Sequence, residues 1–409
     1  MKEWKEVKIL DIGRVVTGNT PPRKNPELYG QHTIFIKPTD VSEDGKYTRN
    51  PEECYSDLGY KKYKKSLIPK GATCVVTIGS IGNKITKAHC DCFINQAMNA
   101  VIPYPKFDEE FVYYLLKYNL NQLKTLDSGT ASGRENVSKS SFSNIKVRVP
   151  ESLPIQKQIG KTLSAYDDLI ENNLLRIKLL EELAQRTYEE WFVRFRFPGF
   201  EASNINSDWL PEGWERKKLG EIANINRESI KKGFKGTIRY VDISSVSTGN
   251  IDFWTEFDFD SAPGRARRLL NHGDIIWSCV RPNRKSYSLV WNPIKNLVGS
   301  TGFAVISPRK VSSEYLYFSI TTESFVGYLS NRAGGTAYPA VTSSVFEEAE
   351  IIIPSEEIDK EFSKFSKEIF DQIYLLKSQN RLLKESRDIL LPRLMSGEIT
   401  LSGSGFSGF

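Results

Sequence analysis

The chain has 409 residues, 39% hydrophobic and 26% charged, with a formal net charge of +6. This balance excludes a disordered or fibrous chain, and no apolar run approaches the roughly 20 residues needed to cross a bilayer. Five scattered cysteines do not make a disulfide framework, and the charged stretch MKEWKEVKILDIG lacks the apolar core of a secretion signal, so a soluble, cytoplasmic protein of two or three domains, away from membranes, is expected.

Residues 1–150 read as a strand-rich α/β globule. Turn signals at Gly18-Asn19, Pro21-Pro22, Asp44-Gly45 and Lys70-Gly71 separate short β-prone runs such as 73–78. Phe111, Leu115, Leu116, Leu120 and Leu123 have helical spacing within 107–126. Lys61, Lys62, Lys64, Lys65 and Lys70 lie together without an intervening acid. His89-Cys90-Asp91-Cys92 has a metal-binding look, but structural zinc wants four ligands in two spaced pairs. The second half has no matching pair, so buried or half-buried thiols are expected and no metal or other cofactor.

From Pro154 the pattern changes. Ile159, Leu163, Tyr166, Ile170, Asn173, Ile177, Leu180, Ala184, Thr187 and Trp191 alternate by four and three, the mark of a heptad seam. With no Gly or Pro between Gly160 and Pro198, one helix of about ten turns is expected. Residues 198–211 (PGFEASNINSDWLP) read as a linker. A second strand-rich stretch follows, with basic clusters at Arg227, Lys231, Lys232, Lys235 and Arg239, and at Arg265, Arg267, Arg268, Arg281, Arg284 and Lys285. An amphipathic segment at 313–329 answers 107–126. A second seam then runs through Ile358, Phe362, Phe365, Ile369, Gln372, Leu376, Gln379, Leu383, Ser386 and Leu390, until Pro392 and Gly397 end the pattern. The tail SGSGFSGF is expected to be flexible.

The two halves repeat each other. Ile68-Pro69-Lys70-Gly71 matches Leu270-Asn271-His272-Gly273 at an offset of 202, Ser128-Gly129-Thr130-Ala131 matches Gly334-Gly335-Thr336-Ala337 at 206, and the strand-like runs ending at Pro150 and Pro354 differ by 204. Near-constant offsets indicate a duplicated unit and a pseudo-two-fold object. The expected class is α+β: two similar α/β domains (1–152 and 213–354), two long helices (153–197 and 355–396) paired as an antiparallel coiled coil, a linker (198–212) and a tail (397–409).

No catalytic set repeats with the halves. The GxGxxG of Gly403, Gly405 and Gly408 follows no strand and precedes no helix. Gly160-Lys161-Thr162 lacks the earlier glycine of a phosphate loop. Asn292-Pro293 lacks the aromatic of a base-methylating loop, and Glu215-Arg216-Lys217 lacks a second acid for nuclease chemistry. A duplicated chain without a duplicated catalytic set reads as a binder, not an enzyme. Basic clusters on turn-rich segments suit a polyanion.

Residues 210–223 (LPEGWERKKLGEIA), 188–199 (YEEWFVRFRFPG) and 387–399 (RDILLPRLMSGEI), with the paired Gly-Thr-Ala segments, carry a resemblance to the specificity subunit of Type I restriction–modification systems. It covers essentially the whole chain. It implies that each globule is a target recognition domain reading half of a split, asymmetric double-stranded DNA sequence. The helices would set the spacing and dock methyltransferase subunits, with restriction subunits joining the full complex, and methyl-donor and nuclease sites would belong to those partners. Phosphate contacts would come from the basic clusters, with Lys84 and Lys139 added. Base contacts would come from loops: Ser132, Arg134 and Asn136 in the first globule, Arg281, Asn283, Arg284 and Tyr338 in the second. Two other readings remain open, a coiled-coil scaffold whose basic globules bind acidic proteins, and a nuclease, for which no Mg²⁺-binding carboxylate cluster can be assembled.

Overall fold

The computed structural model describes residues 4–43, 45–79, 81–126, 135–335, 338–402 and 405–407. The chain divides into two units, Met1–Leu174 with Gln379–Phe409, and Leu175–Ser378. Each contains one globule and a segment of both long helices.

The globules share a strand plan. In the first unit an antiparallel sheet has the order Gly13–Thr17, Met98–Pro103, Thr73–Val76, Ile85–Lys87. Beside it lies a mixed sheet, Tyr29–Gly30, Glu53–Tyr55, Thr33–Ile36, Phe93–Ile94, whose last pair is parallel. The second unit repeats the antiparallel sheet as Ala223–Ile225, Phe303–Pro308, Ile275–Ser278, Tyr287–Leu289. Its mixed sheet, Thr255–Phe257, Ile238–Val241, Leu297–Ser300, Ala266–Leu269, again has one parallel pair. Entry and exit strands pair with each other: Trp4–Lys8 with Lys146–Pro150, and Glu215–Lys218 with Glu350–Ile353. This pairing delivers each exit strand directly to the start of a long helix.

The first long helix runs Leu153–Tyr188 and ends in a π-helical turn, Glu189–Val193. The second runs Glu356–Met395, passing through Pro392. It stops at Gly397, whose φ of +75° is the left-handed turn that glycine adopts without strain. The amphipathic segments at 107–126 and 313–329 each break in two, Glu109–Tyr118 with Asn121–Lys124, and Ser313–Ser319 with Glu323–Arg332. In the tail, Thr400–Ser402 pairs with Gly405–Ser407, placing Leu401 opposite Phe406.

The seam of the first helix lies as expected, with Ile159, Leu163, Ile170, Asn173, Ile177 and Ala184 buried. The seam of the second holds at Ile358, Phe362, Ile369 and Leu376 but needs correction at the alternate positions beyond Phe362. Ser366, Ile373, Asn380 and Arg387 are buried, whereas Gln372, Gln379 and Ser386 are exposed. The cause is a spacing of four followed by four at Ile358, Phe362 and Ser366, which moves the stripe one position round a helix of 3.6 residues per turn. Within the first unit Asn173 donates to Asn380 at 2.9 Å, and Arg387 donates to Asp167, which also accepts from the Tyr114 hydroxyl at 2.5 Å. These partners require the two helix segments to run antiparallel there.

Helix residues complete each globule's core. In the first unit Ile159, Leu163, Leu391, Leu394 and Met395 pack with Phe111, Leu115 and Leu116. Gly160 lets the helix approach the turn at Asp108; a Cβ there would sit 2.7 Å from the Asp108 carboxylate. In the second unit Tyr188, Phe192, Trp214, Tyr315, Phe318 and Phe362 form one aromatic cluster. Phe197 stacks on Trp214 at 5.2 Å. The motif residues on either side of the linker therefore meet in this core.

One repeated position carries opposite electrostatics. Glu110 and Glu314 stand 204 residues apart on matching helices. Burial raises the Glu110 carboxyl, but the hydrogen bond from Lys87 at 2.5 Å and the charge of Lys46 at 3.0 Å outweigh that and hold it below its ordinary value. Lys46 is 1% exposed and also donates to Ser164 of the first long helix at 2.9 Å. Strand register places Leu289 where the first unit has Lys87, and burial raises Glu314 despite hydrogen bonds from its own backbone, Ser363 and Ser313. A lowered carboxyl stabilises the fold above its unfolded value, and that contribution is lost as pH falls through the folded value. A raised one favours the fold below its unfolded value, and that contribution is lost as pH rises through the folded value. Thermal unfolding across the acid-to-neutral range should therefore find Glu110→Gln destabilising at neutral pH by roughly 1.5–3 kcal/mol. Glu314→Gln should raise the melting temperature at neutral pH and flatten its pH dependence.

Candidate nucleic-acid interface

Each globule extends one strand of its antiparallel sheet into a loop, and the same hydrogen bonds clamp that loop to a second one. In the first unit Val137 N–H donates to Thr77 C=O at 2.9 Å and Gly79 N–H to Glu135 C=O at 2.9 Å, across an Ile78–Asn136 bridge. In the second, Val341 N–H donates to Cys279 C=O at 2.9 Å and Arg281 N–H to Pro339 C=O at 2.7 Å, across a Val280–Ala340 bridge. These are equivalent bonds at offsets of 202 and 204. Main-chain bonds fix the loops, which leaves their side chains free to differ. That is a physical basis for one scaffold carrying two recognition surfaces.

The loops diverge in chemistry. In the first unit Gly79 (φ +89°) makes the turn. Lys84, expected at the interface, donates to the Pro38 carbonyl at 2.9 Å and so ties the loop to its own globule. Asn136 lies in the clamp and Lys139 is exposed at the start of the helix Lys139–Ser143. Ser132 and Arg134 lie outside the described residues. Sequence reasoning missed Glu135, an exposed acid in the clamp whose carboxylate accepts from Ile81 N–H at 3.4 Å. Its position between Arg134 and Asn136 was the available signal, since Glu can accept from cytosine N4.

In the second unit the structure unites residues that the sequence placed in separate loops. The Arg281 guanidinium carbon lies 4.3 Å from the Tyr338 ring centroid. Asn283 and Arg284 are exposed on the turn Pro282–Arg284. Lys285 is paired with Glu323 at 2.5 Å. Gly334 and Ala340 exchange two 2.9 Å backbone bonds, and Gly335 has φ +100°, the tight turn expected there. Thr336, Ala337 and the whole first copy, residues 128–131, fall outside the described residues. Burial pushes the Cys279 thiol up to about 11, so it is a neutral part of the loop base.

The remaining predicted residues lie away from the clamps in sequence and differ in how far they are engaged. Lys61 pairs with Asp57 at 2.5 Å, Lys62 lies over Tyr63, and Lys64 and Lys65 are exposed on the following turn. Arg227 pairs with Glu228 at 2.8 Å. Lys231, Lys232 and Arg265 are exposed. Arg267 donates to the Ala266 carbonyl and lies over Phe259, and Arg268 reaches Ser229 at 3.5 Å. Among the described residues no group of three or more His, Cys, Asp or Glu could hold a metal ion. In the His89–Cys92 run, Cys92 faces the core with Cys74, and Cys90 contacts His89. No helix among the described residues is long and apolar enough to cross a membrane.

A family model for the Type I restriction modification DNA specificity domain matches residues 1–182 and 211–385. The specificity subunit of the Type I restriction enzyme MjaIX from Methanocaldococcus jannaschii is 27% identical over 97% of this chain and 94% of its own length. That of HindI from Haemophilus influenzae is 23% identical over 98% and 100%. The solved S subunit of a Type-I restriction-modification system from M. genitalium covers 96% of both chains with a TM-score of 0.60 at 17% identity, a likeness of fold.

If the exposed Lys231 and Lys232 of the second unit contact phosphate, Lys231→Glu and Lys232→Glu should weaken binding to all duplexes alike. Each should lower the slope of log affinity against log salt by about one, as measured in a titration at several salt concentrations.

Proposed function

The chain belongs to the Type I restriction–modification DNA specificity family, and on that premise we propose that each unit reads one half of a split double-stranded DNA sequence. The observation that carries this reading is the pair of equivalent clamped loops, identical in backbone hydrogen bonding and different in side chains. Different side chains on one scaffold read different half-sites, so the target is asymmetric. Basic residues position the duplex through phosphates while loop side chains select bases.

The long helices act as the ruler and as the docking surface. A helix of 36 residues is about 54 Å long, a length on the scale of one to two helical turns of DNA at about 34–36 Å each. Leu169 and Ile389 in the first unit, and Leu175, Leu179 and Leu375 in the second, are exposed along these helices. Solvent-facing leucines at helical spacing suit partner helices, which we assign to methyltransferase subunits, with restriction subunits joining the full complex. In this reading the chain has no catalytic role and needs no cofactor of its own.

The test is a selection of bound sequences from randomised duplexes at two salt concentrations, using the full chain with its methyltransferase partner. Two unlike short motifs separated by a gap of fixed length are expected at both. Absence of enrichment, with binding lost uniformly as salt rises, would leave only a basic surface and favour the scaffold reading.

A further inference from the structure

The two clamps differ at one backbone position in a way that identifies a reading residue. Gly79 and Arg281 occupy the same place: each N–H donates to the opposing loop, at 2.9 and 2.7 Å, and each has a left-handed φ, +89° and +50°. Glycine adopts that conformation freely, whereas an L-residue crowds its Cβ against the backbone. Space is not what keeps position 79 a glycine, because a Cβ added there meets nothing within 4 Å. The turn therefore favours glycine through φ alone. The second unit nevertheless carries arginine, which is not among the polar residues that tolerate this conformation best. Strained non-glycine residues concentrate where the side chain has a task.

The surroundings of the side chain indicate the task. Arg281 lies over Tyr338, whose ring is 68% exposed, so their contact does not serve to fill a core. A guanidinium is a planar fork of N–H donors that matches O6 and N7 of guanine in the major groove. Pro282 and Pro339 directly follow the two residues and stiffen both strands of the clamp, which lowers the ordering cost of binding. We propose that Arg281, held over Tyr338, is the residue through which the second unit reads a guanine in its half-site. The inference rests on the DNA-reading function proposed above and specifies one of its contacts.

The test compares the full wild-type chain, with its methyltransferase partner, against Arg281→Ala and Arg281→Gly. Binding is measured on the selected duplex and on duplexes with single-base substitutions. Replacing a guanine in one half-site should weaken wild-type binding roughly ten-fold or more. Both variants should bind the guanine and substituted duplexes alike, while discrimination in the other half-site persists. Arg281→Gly should also melt roughly 1–2 °C above Arg281→Ala, because only glycine relieves the left-handed turn. Retained guanine discrimination in the variants overturns the inference, as does an equal loss on every duplex, which would mark a phosphate contact. A half-site without guanine overturns it as well. A wild-type chain that selects no split motif overturns the underlying function instead, whatever the variants do.

Discussion

Neither globule completes its own core, and the rest of the structure follows from that constraint. Phe111, Leu115 and Leu116 in the first unit are covered by residues from both long helices, and Tyr315 and Phe318 in the second are covered in the same way. Each helix belongs to one unit at its start and to the other at its end. Two globules that depend on common helices cannot fold as independent beads. The buried Asp167–Arg387 pair adds register to this dependence. An ion pair removed from water contributes little net stability, but a slip that separated it would leave the buried Asp167 carboxylate with the Tyr114 hydroxyl in place of a cation, while Arg387 kept Asp388. Asn173 with Asn380 is a neutral version of the same device.

Duplication then separates what must stay constant from what can vary. The strand order of the antiparallel sheet, the parallel pair in each mixed sheet, and the clamp bonds at Thr77, Gly79, Cys279 and Arg281 recur in both copies, while the fourth strand of the mixed sheet lies on opposite edges. Side chains placed by those bonds do not recur. Even buried electrostatics have drifted, as Glu110, held down by Lys87 and Lys46, and Glu314, raised by burial, demonstrate. Backbone hydrogen bonds tolerate side-chain change, so a scaffold fixed by its main chain can acquire a new surface without losing its fold.

Much of the fold was legible in the sequence because repeats and heptads are periodic signals that survive divergence. Offsets of 202 to 206 foretold two similar globules, and the 4–3 pattern foretold two long helices. The phase of the second helix was not legible. Taking the aromatic Phe365 over the polar Ser366 set the count, and the strict 4–3 alternation then led to Gln372, Gln379 and Ser386 in place of the buried Ile373, Asn380 and Arg387. The site was legible by residue type but not by assembly. Arg281 and Tyr338 are 57 positions apart, and only strand pairing brings them together. Lys84 looked like a free cation because its acceptor is a distant backbone carbonyl, a partner that no side-chain pattern reveals.

The most direct test of the central claim, that one scaffold carries two interchangeable readers, is a loop transfer. Residues 280–285 and 338–341 of the second unit would be replaced by residues 78–83 and 134–137 of the first, and bound sequences selected again with the methyltransferase partner. The account predicts a motif whose two halves contain the same bases, with the gap between them unchanged. A chain that remains folded and still selects the original, unlike half-sites would contradict it.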